Sequence, residues 1–537
     1  MAEMTGGKAI VQALKAAGVD TVFGIVSVHM LPIYDALYEE RSIRLIVPRH
    51  EQGAAYMADG YTRTTGRVGV YLTSTGPGAF NSAGGVHEAW VASSPTLQLT
   101  GNIESRYLDQ GKGFLHETHN QPGVFRELGA RHTRVTRVEE APYAVHDAFT
   151  RLQNERPRPQ VVEIPIDVQY ATGEAEIIPP AAPRRPAPDP ALIERAADLL
   201  AASRHPAIWA GGGVHRSGAN EALLELARTL GAPVVMTVAG HGSIPEDDPL
   251  AIGSWTGDRD VRAFLQEECD ALVVVGSRLG GQMTNNWTLK LPSRLVQIDI
   301  DPEEIGRNYP AEVGIVADAP QALAALTRAL KARNVQPSAE GAATAKRLVE
   351  GARKNVQTRM TPIARLQDTI RAALPRDAIV VTDATIMGYF GANNYFPIYT
   401  PRSFVNPQSV AIGPGLPFAI GAQAGNPGRQ VVVFCGDGGF MLTATEMATA
   451  AQFNLPVRIL LFNNGGYGIL KRMQDGQFGG REIGVELREP DFVQFAEALG
   501  VRGMRVSDEA QLGPTLAKAL AAAGPVLVDV ELPDQLG

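Results

Sequence analysis

Residues 431–468 read VVVFCGDGGFMLTATEMATAAQFNLPVRILLFNNGGYG. An apolar, β-branched run enters Gly436-Asp437-Gly438-Gly439, and a helical pattern begins near Thr443. A second apolar run then ends in Asn463-Asn464-Gly465-Gly466-Tyr467-Gly468. This succession is a β–α–β unit, whose strands lie parallel in a sheet covered by helices.

The same alternation runs outward from this stretch. Strands are expected at 21–24, 44–47, 68–72, 97–100 and 160–164, with helices at 7–17, 51–64 and 138–154. The middle repeats the pattern with strands at 207–210, 234–237, 271–275 and 295–298. The last part does so at 378–382, 430–435, 457–463 and 525–530. A proline-rich stretch, 177–190, excludes both helix and central strand. A Pro/Ser/Gly/Ala-rich patch, 334–345, separates two helical patterns. The expected fold class is α/β: three consecutive doubly wound parallel-sheet domains, 1–176, 191–333 and 346–537, joined by those two linkers.

Bulk properties narrow the function classes. A net charge of −8 over 537 residues is mild and dispersed, which argues against a nucleic-acid or membrane partner. Cys269 and Cys435 stand apart in apolar contexts and form no metal or redox motif. Residues 1–15 lack the basic and apolar regions of a signal peptide, and no window is apolar enough to span a membrane. The expected location is the cytoplasm.

In parallel sheets, ligands sit beyond the carboxyl ends of the strands. There Gly436, Gly438 and Gly439 let backbone approach a ligand, and a helix start offers free N–H groups to phosphate. Asp437 and Asn464, on neighbouring strand ends, supply hard oxygens suited to Mg²⁺, with the Gly466 carbonyl as a third. Either motif alone reads as a turn; the pair points to a metal–diphosphate site. In the first domain, Glu51 in Pro48-Arg49-His50-Glu51-Gln52-Gly53 starts a helix, where a glutamate is ordinarily only a dipole-compensating residue.

GDG followed about two dozen residues later by NN resembles the signature of thiamine-diphosphate (ThDP) enzymes. The whole chain is similar to the branch holding acetolactate synthase, pyruvate oxidase, benzoylformate decarboxylase and oxalyl-CoA decarboxylase. The resemblance implies pyrimidine-binding, central and diphosphate-binding domains, in that order. It also implies Asp437, Asn464 and Gly466 as metal ligands, beside Tyr467. RHEQGAAYMADGYTR, residues 49–63, matches the segment whose glutamate bonds the cofactor's aminopyrimidine, which makes Glu51 the activating carboxylate. Ile412 matches the residue that bends the cofactor, and Thr75 and Asn81 fall in the loop near the pyrimidine. Such enzymes build their sites between subunits, so a homodimer or homotetramer is expected.

The sequence departs from acetolactate synthases after the first strand, where Val28 and His29 replace a glycine-rich turn. It departs again at Leu115-His116-Glu117, where those enzymes carry Phe-Gln-Glu. His116 is the expected acid/base and His29 the second candidate; His119 is weaker. Gln121, Met387, Ile469, Leu470 and Met473 are expected to complete a largely apolar substrate pocket with Val28. The stretches 49–63 and 115–121 also resemble decarboxylases of guanidino 2-oxo acids. Arg278-Leu279-Gly280-Gly281-Gln282 and Ser254-Trp255-Thr256-Gly257 replace FAD-facing segments, so FAD is not the favoured occupant of the central domain.

The resemblance therefore implies a ThDP- and Mg²⁺-dependent decarboxylase or carboligase. It would turn a 2-oxo acid into an aldehyde through an enamine, or into an acyloin when an aldehyde or second 2-oxo acid is the acceptor. The alternatives are an FAD-containing acetolactate synthase catalytic subunit, a 2-hydroxyacyl-CoA or oxalyl-CoA lyase, and a non-catalytic binding relative. The lyase needs a basic nucleotide patch that is not legible in the central segment.

Overall fold

A computed structural model of the chain describes residues 2–531. Three six-stranded sheets, parallel throughout, dominate it. The first runs, edge to edge, Arg44–Ile46, Thr21–Gly24, Gly69–Thr73, Thr96–Asn102, Gln160–Pro165, Arg131–Arg134. The central one runs Ala251–Gly253, Val234–Met236, Pro206–Ala210, Ala271–Val275, Leu295–Asp299, Val313–Val316. The last runs Phe404–Val405, Ile379–Thr382, Val431–Gly436, Arg458–Asn463, Val526–Glu531, Arg502–Val506. Ala2–Thr5 and Thr172–Ala175 add a small antiparallel pair.

The first and last sheets share one strand order. In each, the first strand of the sheet leads outward on one side and the third strand lies on its other side. That reversal opens a crevice at the carboxyl ends of these two strands, where ligands bind in open α/β sheets. In the first domain it falls between Thr21–Gly24 and Gly69–Thr73, ahead of His29 and Thr75. In the last it falls between Ile379–Thr382 and Val431–Gly436, ahead of Asp383 and Asp437.

First and last domains meet through helices Glu51–Thr65 and Gly415–Gly425. Their backbones approach so closely that a Cβ on Gly421 would stand 1.8 Å from the Met57 carbonyl oxygen. Glycine is what permits this crossing. Beside it, Arg63 donates to Asp59 and Glu88, all three side chains largely or fully buried. Glu88 in turn accepts the backbone N–H groups of Gln408 (2.7 Å) and Ser409 (2.8 Å). A buried cation with two hydrogen-bonded carboxylates is satisfied, whereas any one of them left alone would be costly.

Two sequence expectations need adjustment. The second linker is shorter than 334–345, because helix Gly341–Arg359 begins inside it, on an Ala/Lys-rich run of good helix formers. The helix after the GDG turn does not wait for Thr443: a first short turn starts at Asp437–Phe440, and Met447–Gln452 follows.

Candidate active site

Asp437 is almost fully buried where Val431–Gly436 turns into its helix. One carboxylate oxygen accepts N–H groups from Asn464 (3.2 Å), Gly465 (2.6 Å) and Gly466 (2.9 Å); the other accepts that of Gly438 (3.0 Å). Burial raises its proton affinity, and these four donors pull the other way. Gly466 adopts φ +155°, and a Cβ there would lie 2.1 Å from the Val485 carbonyl oxygen. The Tyr467 ring covers Gly438, where a Cβ would come within 2.7 Å of it. Gly439 faces Ile412, whose Cβ is 3.5 Å from the position of a Gly439 Cβ. Among the described residues no three His, Cys, Asp or Glu side chains gather as a metal cluster. A cation here would therefore draw on one carboxylate, the Asn464 amide and the Gly466 carbonyl, a donor set of the kind Mg²⁺ shares with phosphate.

The loop carrying Ile412 is held from below by Asp383, which the sequence reading did not single out. Its carboxylate accepts the N–H groups of Ala384 (2.6 Å), Gly413 (2.9 Å) and Gly415 (3.3 Å). Burial pushes its carboxyl up to about 6, against those donors.

Glu51 opens its helix, and Asn81 donates to one of its carboxylate oxygens at 2.9 Å. The start of that helix is fixed by a residue of the last domain. Buried Glu446 accepts the N–H groups of Arg49 (3.0 Å) and His50 (3.2 Å), filling a role normally left to caps or water. Ser74 lies next to Glu51, both bordering Gly78. The Tyr34 hydroxyl is buried, and its proton is held by burial and by the Glu51 charge. Neither Glu446 nor Tyr34 carries a local motif; only their distant contacts reveal them.

Thr75 is fully buried and donates to Gln121 at 3.0 Å; Gln121 also accepts the Gly76 N–H and donates to Glu163. Gln121 is thus a structural tie behind the loop. His29 and His116 come together, with ring centroids 5.1 Å apart. His29 is buried, and burial followed by the charge of His116 lowers its basicity. Val28, Leu470 and Met473 are exposed, and Ile469 packs partly against the last domain's core. Met387 corrects the expectation: it is fully buried in that core with Phe396 and Phe434 and offers no open wall.

Three segments match the thiamine pyrophosphate enzyme family: its N-terminal TPP binding domain over residues 4–124, its central domain over 193–326, and its C-terminal TPP binding domain over 387–530. The chain belongs to the thiamine pyrophosphate enzymes. It is 33% identical over 551 residues to a probable acetolactate synthase large subunit of Methanocaldococcus jannaschii, covering 98% of this chain and 92% of that one. It is 36% identical over 538 residues to a probable 2-ketoarginine decarboxylase of Pseudomonas aeruginosa, covering 98% and 94%. The acetolactate synthase isozyme 1 large subunit of Escherichia coli is 32% identical over 541 residues, again covering 98% and 94%. The chain is thus a ThDP-dependent enzyme of the acetolactate synthase and decarboxylase branch, and its three sheets are the family's three domains.

A TPP enzyme of this branch has a second concavity to explain. A cavity of about 600 Å³ lies at the central sheet's strand-order reversal, lined by Gly212, Gly213, Ser277 and Arg278. Arg156 and Arg402 reach it from the first and last domains and Arg216 from the helix that starts at Gly213, with Asp299, Glu304 and Asp318 on the same lining. Burial lowers Arg216 to about 9, helped by neighbouring Arg63. Arg156 and Arg402 lie far from the central segment in sequence, which hid them. Among the described residues no helix is long and apolar enough to cross a membrane.

Proposed function

We propose that this enzyme is a ThDP- and Mg²⁺-dependent decarboxylase or carboligase of 2-oxo acids that works without tightly bound FAD. The observation that carries this reading is the His29–His116 pair on the Glu51 side of the site. When bound, ThDP supplies the nucleophilic carbon and the electron sink for breaking a bond next to a carbonyl. Asp437, Asn464 and the Gly466 carbonyl would hold Mg²⁺, and the turn Gly436–Gly439 would face the diphosphate. Asn81 donates to one oxygen of Glu51, and the other would face the cofactor's aminopyrimidine. Ile412, facing Gly439, would support the bend of the cofactor. His116 delivers or removes the proton at the substrate carbon, with His29 set behind it.

The exposed apolar side chains Val28, Leu470 and Met473 suit a medium or bulky 2-oxo acid with a long apolar stem. The relative named as a 2-ketoarginine decarboxylase supports a substrate of that length. Val28, Leu115, Ile412, Leu442, Leu470 and Met473 also leave an apolar surface at both half-sites, which supports a homodimer or homotetramer closing over them.

An acetolactate synthase with FAD is the second reading, and the arginine-lined cavity is the observation in its favour. Flavin absorbance of the purified protein, together with product identity, separates the two. Colourless protein releasing aldehyde supports the first; yellow protein making acetolactate from pyruvate supports the second.

A further inference from the structure

His116 stands at the end of a surface loop with an unusual internal anchor. The carboxylate of Glu117 accepts four consecutive backbone N–H groups. One oxygen takes Gly111 (2.8 Å) and Lys112 (3.3 Å), and the other takes Gly113 (2.7 Å) and Phe114 (2.9 Å). Its own N–H returns to the Phe114 carbonyl at 2.9 Å. Hydrogen bonds to an ionised acceptor are the stronger kind, and here they are spent on one short turn. The Phe114 N–H and its neighbours hold the carboxyl below its usual range.

The chain enters and leaves this turn through left-handed backbone at Asp109, Gly111, Gly113 and His116, the last with φ +63°. A non-glycine residue in that region needs surroundings that hold it there. Two contacts show what the conformation achieves. The His116 carbonyl sits 2.7 Å from the position of a Gly76 Cβ, so the loop closes onto the Gly76 turn. The His116 ring lies against His29, and the Leu115 carbonyl bears on the His29 ring as well.

We propose that Glu117 is a positioning residue: its carboxylate gathers residues 111–114 into a rigid turn that holds His116 against His29. The proposal rests on the reading of His116 as the acid/base group. Glutamine at 117 would keep one accepting oxygen for four donors, so at least two amides would lose their partner.

The test uses the Mg²⁺–ThDP holoenzyme of wild type, Glu117→Gln, His116→Ala and the double variant, with amide exchange over 109–118 and kcat and KM on a 2-oxo acid. We expect faster exchange confined to 109–118 in Glu117→Gln, an unchanged Tm and ThDP affinity, and a fall in kcat. Adding His116→Ala should lower kcat by less than about threefold more, because residues acting as a unit are not additive. Unchanged exchange at 111–114, full kcat in Glu117→Gln beside an impaired His116→Ala, or losses that multiply in the double variant would each overturn the proposal. Full turnover in His116→Ala would remove the acid/base reading itself, and this inference with it.

Discussion

His29 and His116, from separate loops of the first domain, lie with ring centroids 5.1 Å apart and planes inclined by 35°. A like charge on the neighbouring ring disfavours protonation of buried His29. Burial first and the His116 ring second therefore disfavour a proton on His29.

The titration of His29 checks this directly. Its folded basicity lies below the ordinary 6.5, from burial first and His116 second. As pH falls through 6.5 the unfolded chain takes a proton that folded His29 refuses, so this group costs stability on the acidic side only. In His116→Asn the His29 resonance should titrate at higher pH than in wild type, without reaching 6.5, because burial remains. No change on NMR titration would show that the rings do not sense each other.

Glu51→Gln should lower turnover by about 10²–10⁴-fold, the span of a lost acid–base group. Binding of Mg²⁺ and ThDP, measured by calorimetry, should persist, because the Asp437 cluster is untouched. Wild-type rates in this variant would remove Glu51 from the chemistry.

Ile412→Ala should cost about 10²-fold in kcat with little change in KM, the scale expected when reacting groups are misplaced by about 1 Å. Ile412→Leu should recover most of it. Equal losses in both variants would mean that Ile412 serves packing rather than a bend.

Asp383 gives a pH signature of stability. Its folded carboxyl is raised to about 6 against 3.8, so the folded state binds the proton more tightly. Its contribution is full below about 3.8 and is lost as pH rises through about 6, an effect of about 2–3 kcal/mol. Thermal melting of Asp383→Asn should lack this slope between pH 4 and 7. Parallel curves for the two proteins would contradict the assignment.

Much of this arrangement was legible in the sequence, and the gaps have a physical pattern. In the three parallel sheets the strands not anticipated, Arg131–Arg134, Ala251–Gly253, Val313–Val316, Phe404–Val405 and Arg502–Val506, all lie at the edges. Edge strands are short or carry charges, so they lack the continuous apolar run that marks a central strand such as Val431–Gly436. In the site, Asp437 sits in a contiguous motif at a strand end, where its spacing from Asn464 exposes it, whereas Glu51 stands out only through the family resemblance of residues 49–63. Asp383, Glu446, Tyr34 and Glu117 act through contacts between distant segments or through a loop's own backbone, and no local pattern announces them. Met387 misled for the opposite reason: an apolar residue near a strand end fits a pocket wall and a core equally well.

The most direct test of the central claim is product identification by NMR after incubation with Mg²⁺, ThDP and either pyruvate or a longer 2-oxo acid, such as benzoylformate or 2-ketoarginine. The account predicts aldehyde from a longer acid with pyruvate left nearly untouched. Acetolactate from pyruvate, with the longer acids unchanged, would contradict it.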